Sequence, residues 1–423
     1  MNCLLQSHAF TTFFLFSLLK YKKDLDERGD YMIRILHISD VHINKSFATK
    51  DEVLRHKLQR AVLKSFQNAV SYCISNGLDA LLIAGDLFDS GHISLKDGEI
   101  VKDAFEQLNK HQIKVLYASG NHDYTHYDSK IRQINWPENV VTFFDDQYKI
   151  YDLMDKNQQV YKVVGCGHMI QHESRNLIET FPVGNYIGLA HAMVQSSITK
   201  GDEGDYLPST IETISSKGYY YFALGHIHQN GPIDKHESIF YSGSLQGLNS
   251  NETGLKGGNL VTIKDGLTDV KFVPLSAVRF EKIEIDVSSY ETMEALYDGL
   301  KHSVNDYADI NDLDNISLEI TLSGRSKLYR KLCDSKEVKD LKALLLDDLH
   351  LFDLKIKIRV KTVFDMDKLK GKNSVLGDVL DQVASMNKLP ELGYLSDDLK
   401  IEDIKDGLAD QIMDYFLEGF DEN

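Results

Sequence analysis

The alternation of apolar and polar positions divides the chain into regions with different periodicities. From residue 32 to about residue 278, short apolar runs alternate with stretches in which apolar residues recur every four positions, as in residues 53–74. Such a stretch predicts an amphipathic helix, whereas the short runs predict buried strands. Strand, helix and strand at short intervals predict βαβ units around a mainly parallel sheet, which is an α/β fold.

The pattern changes after residue 279, where apolar residues begin to alternate strictly with polar ones. The elements predicted there are strand, helix, strand, helix and strand, at residues 283–287, 291–304, 316–322, 337–349 and 354–360. We expect these elements to form a small α+β capping domain at residues 279–365. A helical C-terminal region of residues 366–423 follows, with predicted helices at residues 375–386 and 401–420.

Polar residues suited to metal binding follow five of the apolar runs of the first region. The runs are residues 33–38, 80–84, 115–118, 186–190 and 219–224. The carboxyl ends of strands in α/β sheets form the rim at which ligands bind, so we expect these polar side chains to meet there. The seven candidate ligands are Asp40, His42, Asp86, Asn121, His191, His226 and His228. Imidazole, carboxylate and amide ligands without a thiolate suit Mn, Fe or Zn.

The chemistry of the motifs supports a two-metal hydrolase site. The carboxylate of Asp86, placed after a glycine that allows a tight turn, can bridge two cations. His122 can donate a proton to a leaving group, and we expect Asp123 to hold its imidazole in the required tautomer. Each motif alone has an ordinary explanation, a turn or a structural histidine. Their joint occurrence at five strand ends favours the metal site.

Composition limits the partners and the redox state. The formal net charge of −17 argues against nucleic-acid binding by bulk attraction. Residues 371–423 hold 13 acidic residues against 4 lysines, so the preceding 370 residues carry only −8 of that charge. A local basic surface therefore remains compatible with the sequence there. The chain has 4 cysteines and no CxxC pair, which predicts reduced thiols and a cytoplasmic location.

The strand predicted at residues 354–360 carries a basic residue at every second position. Lys355, Lys357, Arg359 and Lys361 share one face of the extended segment. One interpretation is a surface that contacts the phosphate backbone of DNA. The other is cross-strand pairing with acidic residues, namely Glu284, Asp286 and Glu319.

Residues 1–31 are expected to be a non-native N-terminal extension, with translation starting at Met32. The apolar stretch of residues 9–19 is too short to span a bilayer. Its lysines follow the apolar stretch, whereas a secretory signal needs basic residues before it and a small-residue cleavage site after it. A membrane-surface anchor is the alternative interpretation.

The order and content of the motifs, D-x-H, G-D, G-N-H, H and G-H-x-H, resemble the calcineurin-like metallophosphoesterase family. Within it the chain is similar to the SbcD-type DNA repair exonucleases and nearest to the YhaO group. The similar segments are LHISDVH (residues 36–42), AGDLFD (84–89), GHIHQ (225–229) and YSGSLQG (241–247). The resemblance implies a sandwich of mixed sheets flanked by helices.

The resemblance also assigns the ligands to two metals. One metal would be held by Asp40, His42, Asp86 and His228, and the other by Asp86, Asn121, His191 and His226. Asp86 would then bridge the two metals, and His122 would be the general acid, with Mn as the expected metal. The chain departs from the family at Asp89, where some members have a histidine. It also departs at residues 43–47, which lack the usual Leu-Gly.

The expected function is therefore that of a DNA exonuclease or endonuclease subunit acting in DNA repair. The partners implied by the resemblance are DNA and an SbcC-like coiled-coil ATPase, with a homodimer as a further expectation and no membrane. The alternatives are a small-nucleotide phosphodiesterase or phosphatase, and a DNA-end binding subunit with weak catalysis.

Overall fold

A computed structural model describes residues 32–90, 93–195, 206–233, 236–307, 310–363 and 375–385, together with Leu408 and Ile412. The chain divides into two compact units, Met1–Glu281 and Lys282–Asn423. The predictions about residues 1–31 and about a helix at residues 401–420 lie outside the described residues, apart from those two single positions. In the part of the chain that is described, no helix is long and apolar enough to cross a membrane.

The strands of the described residues are, in chain order, β1 (Met32–Ile38), β2 (Ala80–Ala84), β3 (Lys114–Ala118), β4 (Val140–Phe143), β5 (Lys149–Met154), β6 (Val160–Gly165), β7 (Ile187–His191), β8 (Val194–Gln195), β9 (Ser209–Thr210), β10 (Tyr221–Gly225), β11 (Gly231–Ile233), β12 (His236–Tyr241), β13 (Gly257–Lys264), β14 (Leu267–Pro274), β15 (Arg279–Asp286), β16 (Ile316–Ser323), β17 (Arg325–Ser326), β18 (Asp353–Ile358) and β19 (Lys361–Thr362). The α-helices are α1 (Glu52–Ser75), α2 (Leu95–Lys110), α3 (Lys130–Gln133), α4 (Ile211–Ser215), α5 (Met293–Tyr307), α6 (Tyr329–Cys333), α7 (Ser335–Leu349) and α8 (Val375–Ser385). Short 3-10 helices lie at Leu177–Thr180 and Ile310–Asn315.

The first unit contains two six-stranded mixed sheets. One has the order β14-β13-β1-β2-β3-β4, in which β1 to β4 are parallel and the β13–β14 hairpin is antiparallel. The other has the order β11-β12-β10-β7-β6-β5, with a parallel centre and antiparallel edges. The single, mainly parallel sheet suggested by the strand–helix alternation is therefore two mixed sheets, as the family resemblance implied.

The two sheets pack face to face around one apolar core. Fully buried side chains of the first sheet, such as Leu82 and Leu116, belong to the same cluster as Leu189 and Tyr221 of the second. Strands β2, β7 and β10 are buried over their whole length. Burial of this kind removes apolar surface from water on both faces of a sheet and holds the two sheets together.

Helices cover the outer face of the first sheet. The helix predicted at residues 53–74 is confirmed as α1, which begins after Asp51, whose side chain accepts a hydrogen bond from the main-chain N–H of Leu54. Its buried face packs on α2, where the rings of Phe66 and Phe105 meet edge to face at 6.1 Å. The side-chain amide of Gln59 donates to the carbonyl of Lys45 at 3.1 Å, which joins α1 to the loop that follows β1.

The second unit contains the elements predicted for the capping domain. Strands β15, β16 and β18 form a three-stranded sheet. Leucines of α5 and α7, including Leu296, Leu300 and Leu345, join the apolar side of that sheet in a separate core. The predicted helix at residues 375–386 is confirmed as α8, ending at Ser385 in the described residues.

The alternating lysines of β18 are used for cross-strand pairing. Lys355 lies opposite Glu319 in the parallel register of β16 and β18. Both Lys355 and Lys357 approach the Glu319 carboxylate, with Nζ–O distances of 3.0 and 2.6 Å. Glu319 is only 6% exposed, so these two lysines neutralise a carboxylate that would otherwise be costly to bury. Strand β18 ends at Ile358, so Arg359, which was predicted to belong to the strand, lies outside it.

Replacing Glu319 by Gln should lower the stability of the chain. The two pairs use lysines that are exposed to water, so we expect a loss of about 0.2–1 kcal/mol for each pair in the free energy of unfolding. Urea denaturation followed by circular dichroism measures this, with Glu294→Gln on the exposed face of α5 as the control. Equal stability of the two variants would mean that the lysine contacts contribute nothing.

Candidate metal centre

The seven predicted ligands lie together at the carboxyl ends of strands from both sheets. Asp40 and His42 follow β1, Asp86 follows β2, and Asn121 follows β3. His191 ends β7, while His226 and His228 follow β10. The parallel register places His191 directly beside Gly225, the residue before His226. Strands that end at the same edge therefore deliver side chains from five separate segments to one place.

The ligand atoms approach one another closely. His191 Nε2 lies 2.8 Å from Asn121 Oδ1 and 3.4 Å from Asp86 Oδ2. His42 Nε2 lies 3.6 Å from Asp86 Oδ2, so this carboxylate is reached from two sides. Three overlapping groups each have their ligand atoms within 4.8 Å of one another: Asp40, His42 and His228; His42, Asp86 and His122; Asp40, Asp86 and His191.

Three of the histidines are oriented by a hydrogen bond at their other ring nitrogen. His191 Nδ1 lies 2.9 Å from the carbonyl oxygen of Ala84. His42 Nδ1 lies 2.9 Å from Asp89 Oδ1, and His228 Nδ1 lies 3.0 Å from Glu252 Oε1. These oxygens can only accept, so each Nδ1 donates a hydrogen bond and the ring turns its Nε2 toward the site. Carboxylates and carbonyls commonly orient metal-binding histidines in this way.

The arrangement fits divalent cations because two of its buried polar atoms have no hydrogen-bond partner among the described residues and the other candidate ligand atoms lie close by. His191 Nε2 lies 2.8 Å from the amide oxygen of Asn121, so the two side chains are close enough to bind one cation. Asp40 Oδ1 and His42 Nε2 are buried and make no hydrogen bond within the described part of the chain. Buried polar atoms normally find partners, and a cation would provide one for each of these.

Several of these residues are held in a backbone conformation that is rare for side chains other than glycine. The φ angles are +49° at Asp40, +52° at His42, +52° at Asp86 and +103° at His226. Such conformations persist only where surrounding contacts enforce them, and they cluster at functional sites. Here the main-chain N–H groups of Val41 and His42 both donate to the carbonyl of Asp86, which locks the two loops together.

Two glycines allow the loops to approach this closely. A Cβ at Gly120 would lie 2.3 Å from Asp86 Oδ1, and one at Gly85 would lie 2.4 Å from His191 Nδ1. Either methyl group would displace a ligand. The glycines of the G-D and G-N-H motifs are therefore required by the packing of the ligands, in addition to the turn geometry expected from sequence.

The expected contact between Asp123 and His122 is not formed. The buried Asp123 carboxylate accepts main-chain N–H groups of Gly120 at 2.6 Å and Leu87 at 2.7 Å, and the hydroxyl of Tyr117. It therefore joins the loops after β2 and β3 inside the protein, whereas the side chain of His122 is 37% exposed. The prediction was wrong because the two neighbouring side chains differ in burial and in hydrogen-bond partners.

His122 lies at the mouth of the site and is oriented by Asp89. Its Nδ1 lies 3.1 Å from the carbonyl oxygen of Asp89, and its side chain is 37% exposed. Its ring is 4.7 Å from that of His42. His122 lines a cavity of about 410 Å³ together with the ligands Asp86, Asn121, His226 and His228, and with Tyr206 and Ile227.

The electrostatics of the site reflect the burial of several carboxylates beside one another. Burial raises the pKa of Asp86, and the nearby carboxylates of Asp123 and Asp40 raise it further, although histidines around it act the other way. Burial lowers the pKa of His228, but its hydrogen bond to Glu252 and the charge of Asp40 outweigh this effect and raise the pKa to about 9. A proton on His228 and a bound cation are therefore alternative sources of positive charge at this position.

Sequence reasoning missed two carboxylates that orient ligands. Asp89 was noted only as a departure from the family pattern, yet it contacts His42 and the Nζ of Lys45 at 2.9 Å. Glu252 lies five residues after the YSGSLQG segment, and it accepts from Ser244 and from the main chain of Leu248 as well as from His228. Residues 252–254 resemble the YhaO group, but that resemblance did not indicate that the Glu252 carboxylate contacts His228.

Comparison with known proteins agrees with the geometry. The family model described as calcineurin-like phosphoesterase matches residues 33–230, which include all seven candidate ligands. Residues 33–230 are thus similar to calcineurin-like phosphoesterases over just under half of the chain. Members of that family typically bind a dimetal centre, and the overlapping groups of candidate ligands are compatible with one.

The relatives that this chain resembles do not specify a substrate. The uncharacterized metallophosphoesterase YhaO of Bacillus subtilis (strain 168) is 27% identical over 275 residues, covering 63% of this chain and 66% of that protein, just under two thirds. Among solved structures, TT1561 of Thermus thermophilus is 12% identical, covering 57% of this chain and 99% of that one, with a TM-score of 0.33. A dimetal phosphatase from Danio rerio is 11% identical, covering 58% and 99%, with a TM-score of 0.36. Both structural likenesses are remote.

Replacing Asp86 by Asn should remove metal and activity together. Its carboxylate is approached by His42 and by His191, so losing its charge weakens both ends of the site. Metal analysis of the purified chain, combined with hydrolysis of a chromogenic phosphodiester, measures the effect. The control is Asp152→Asn on the exposed strand β5. Two full equivalents of metal in an active Asp86→Asn variant would contradict the assignment.

Replacing Glu252 by Gln should weaken metal binding without unfolding the domain. The variant loses the charge that fixes the His228 ring, and such orienting partners contribute about 10–100-fold to metal affinity. Competition with a metal-binding dye gives the affinity, and thermal melting of the metal-free protein gives the stability. An unchanged affinity would show that Glu252 serves the loop alone.

Proposed function

We propose that this chain hydrolyses phosphodiester bonds of DNA at a two-metal centre, with Mn as the metal. The observation that carries the proposal is the buried cluster of acceptors shared by two sheets, with His122 at its mouth. The cluster supports metal-dependent hydrolysis, and His122 supports a substrate whose leaving group needs a proton. An alkoxide leaving from a phosphodiester is such a group.

Each residue has a role that follows from its contacts. Two cations bound here would polarise the phosphoester and activate a water nucleophile. His122 donates its proton to the departing sugar oxygen, and the carbonyl of Asp89 holds the ring by its Nδ1. The main-chain N–H of His122 donates to Asp86 Oδ1 at 2.8 Å, which fixes the distance between the acid and the central carboxylate. Positioning of this kind supplies much of the catalysis in phosphoryl transfer.

DNA as the substrate rests on the sequence resemblance and on the size of the chain. Similarity to SbcD-type exonucleases implies DNA repair as the process and an SbcC-like coiled-coil ATPase as the partner. The second unit begins beyond the matched phosphoesterase domain, and hydrolysis of a small phosphoester needs no such addition. The family model and the relative specify phosphoester chemistry only.

A small-nucleotide phosphodiesterase is the competing function. The cavity of about 410 Å³ at the site has the volume of an ordinary small-molecule pocket, which favours this alternative.

Metal-stripped protein with Mn added back should degrade a labelled DNA duplex and a labelled single strand if the proposal holds. Turnover of dinucleotides or cyclic nucleotides without attack on either DNA would establish the competing function instead. Tight binding of DNA ends with neither turnover would indicate an end-binding subunit.

Replacing His122 by Ala should separate chemistry from metal binding. We expect kcat on DNA to fall by about 10²–10⁴-fold while metal content stays at the level of the unmodified chain. Bis(p-nitrophenyl) phosphate, whose leaving group needs no proton, should be hydrolysed with a much smaller loss. His126→Ala, an exposed histidine of the same loop, is the control. Equal losses on both substrates would exclude His122 as the general acid.

A further inference from the structure

A second cavity lies between the N-terminal halves of α1 and α2 and the loop after β1. Its volume is about 630 Å³, larger than that of the cavity at the metal centre. Its walls include His56 and Arg60 of α1, Lys96 and Asp97 of α2, and Asn44 from the loop after β1. We call this cavity with its basic rim the α1–α2 groove.

The rim of the α1–α2 groove concentrates positive charge in an acidic chain. Residues 45–64 hold six Lys and Arg residues against two acidic residues, although the whole chain carries −17. His56, Arg60 and Lys64 follow one another at a four-residue spacing, so they share one face of α1, and all three are exposed. Arg60 and Lys64 are like charges four residues apart, which destabilises a helix, so their placement is not explained by the stability of α1.

The basic side chains of the groove are available for a ligand. Among the described residues, Arg60, Lys64 and Lys96 make no ion pair, whereas Lys45 pairs with Asp89 at 2.9 Å. Arg55 is likewise occupied, since its guanidinium donates to the carbonyl of Thr49. Within the described part of the chain, Arg60 and Lys96 therefore stand in the walls without an ion pair, and Lys64 lies one turn further along α1. The wall carboxylate of Asp97 accepts the hydroxyl of Ser94 at 2.6 Å, and the apolar wall residues Leu63 and Ile100 suit contact with sugar carbons.

The groove is tied to the metal centre through the loop after β1. Asn44 lies two residues after His42, so the two Cα atoms are at most about 7.6 Å apart. Gln59 of α1 donates to the carbonyl of Lys45 at 3.1 Å, and Lys45 in turn contacts the carboxylate that orients His42. That distance is about two rises of 3.4 Å for each nucleotide, so the nearest wall of the groove, at Asn44, lies within a short stretch of a bound strand from the metal centre.

We propose that the α1–α2 groove binds the phosphodiester backbone of a DNA strand a few nucleotides from the phosphate that is hydrolysed. The inference rests on the proposed function, and it specifies a polymeric substrate over a small diester. Arg60, Lys64 and Lys96 contact the phosphates, as basic side chains do in proteins that bind DNA without reading its sequence. The groove thereby sets where along a strand the metal centre acts.

The test compares two variants of the full chain that lose the same charge. The groove variant combines Arg60→Gln, Lys64→Gln and Lys96→Gln. The control combines Lys110→Gln, Lys162→Gln and Lys271→Gln, which lie outside the groove on exposed positions of the same unit. Binding of a fluorescein-labelled DNA oligonucleotide to metal-stripped protein is measured by anisotropy at several salt concentrations. Hydrolysis of bis(p-nitrophenyl) phosphate with Mn reports on the metal centre.

The groove variant should bind DNA more weakly, and the slope of log affinity against log salt should flatten by about 0.7–0.9 for each lost phosphate contact. Its hydrolysis of the small diester should equal that of the unmodified chain, and the control should keep its DNA affinity. A third variant, with Arg60→Lys, Lys64→Arg and Lys96→Arg, keeps the three positive charges and should bind DNA as the unmodified chain does. Equal loss in the groove variant and the control would overturn the inference, since bulk charge would then explain both.

The failure of the groove and the failure of the proposed function give different results. If the unmodified chain binds and cleaves DNA while the groove variant does so equally well, only the groove assignment falls. If the unmodified chain hydrolyses the small diester but neither binds nor cleaves DNA, the proposed function falls and the groove inference falls with it.

Discussion

The close approach of buried carboxylate, amide and imidazole groups is the constraint on which the first unit depends. Asp40, Asp86, Asn121 and the histidines around them meet within a few ångströms, and Asp40 Oδ1 and His42 Nε2 find no hydrogen-bond partner among the described residues. The protein tolerates this because the loops are held from outside the cluster, through Asp123 and through main-chain bonds between them. A pre-organised set of such ligand atoms favours cations over water, since cations neutralise what hydrogen bonds cannot.

The two-sheet sandwich makes this arrangement possible because its strand ends and its core have different roles. Parallel strands of both sheets end at one edge and deliver the ligands, while the apolar core between the sheets fixes the distance between them. The left-handed backbone at Asp40, His42 and Asp86 is the local strain that accompanies aiming side chains inward from strand ends. The carboxylates of Asp89 and Glu252 then orient the rings of His42 and His228 by hydrogen bonds to Nδ1.

Strand positions and ligand identities could be predicted from the sequence because each apolar run ends abruptly at a glycine or polar residue. The assignment of strands to two sheets could not, since strands buried on both faces carry the same apolar pattern. The role of Asp123 was mispredicted because the neighbouring side chains of His122 and Asp123 differ in burial and in hydrogen-bond partners. Pairing of Lys355 and Lys357 with Glu319 required the register of β16 and β18, which the pattern of one strand does not contain.

Anomalous X-ray diffraction from crystals of the full chain grown with Mn tests the central claim most directly. The account predicts two Mn peaks about 3.5–4 Å apart, both in contact with the Asp86 carboxylate. One peak should lie beside His42 and His228, and the other beside Asn121 and His191. A map with no peak among these side chains, under conditions in which Mn binds the chain elsewhere, would contradict the account.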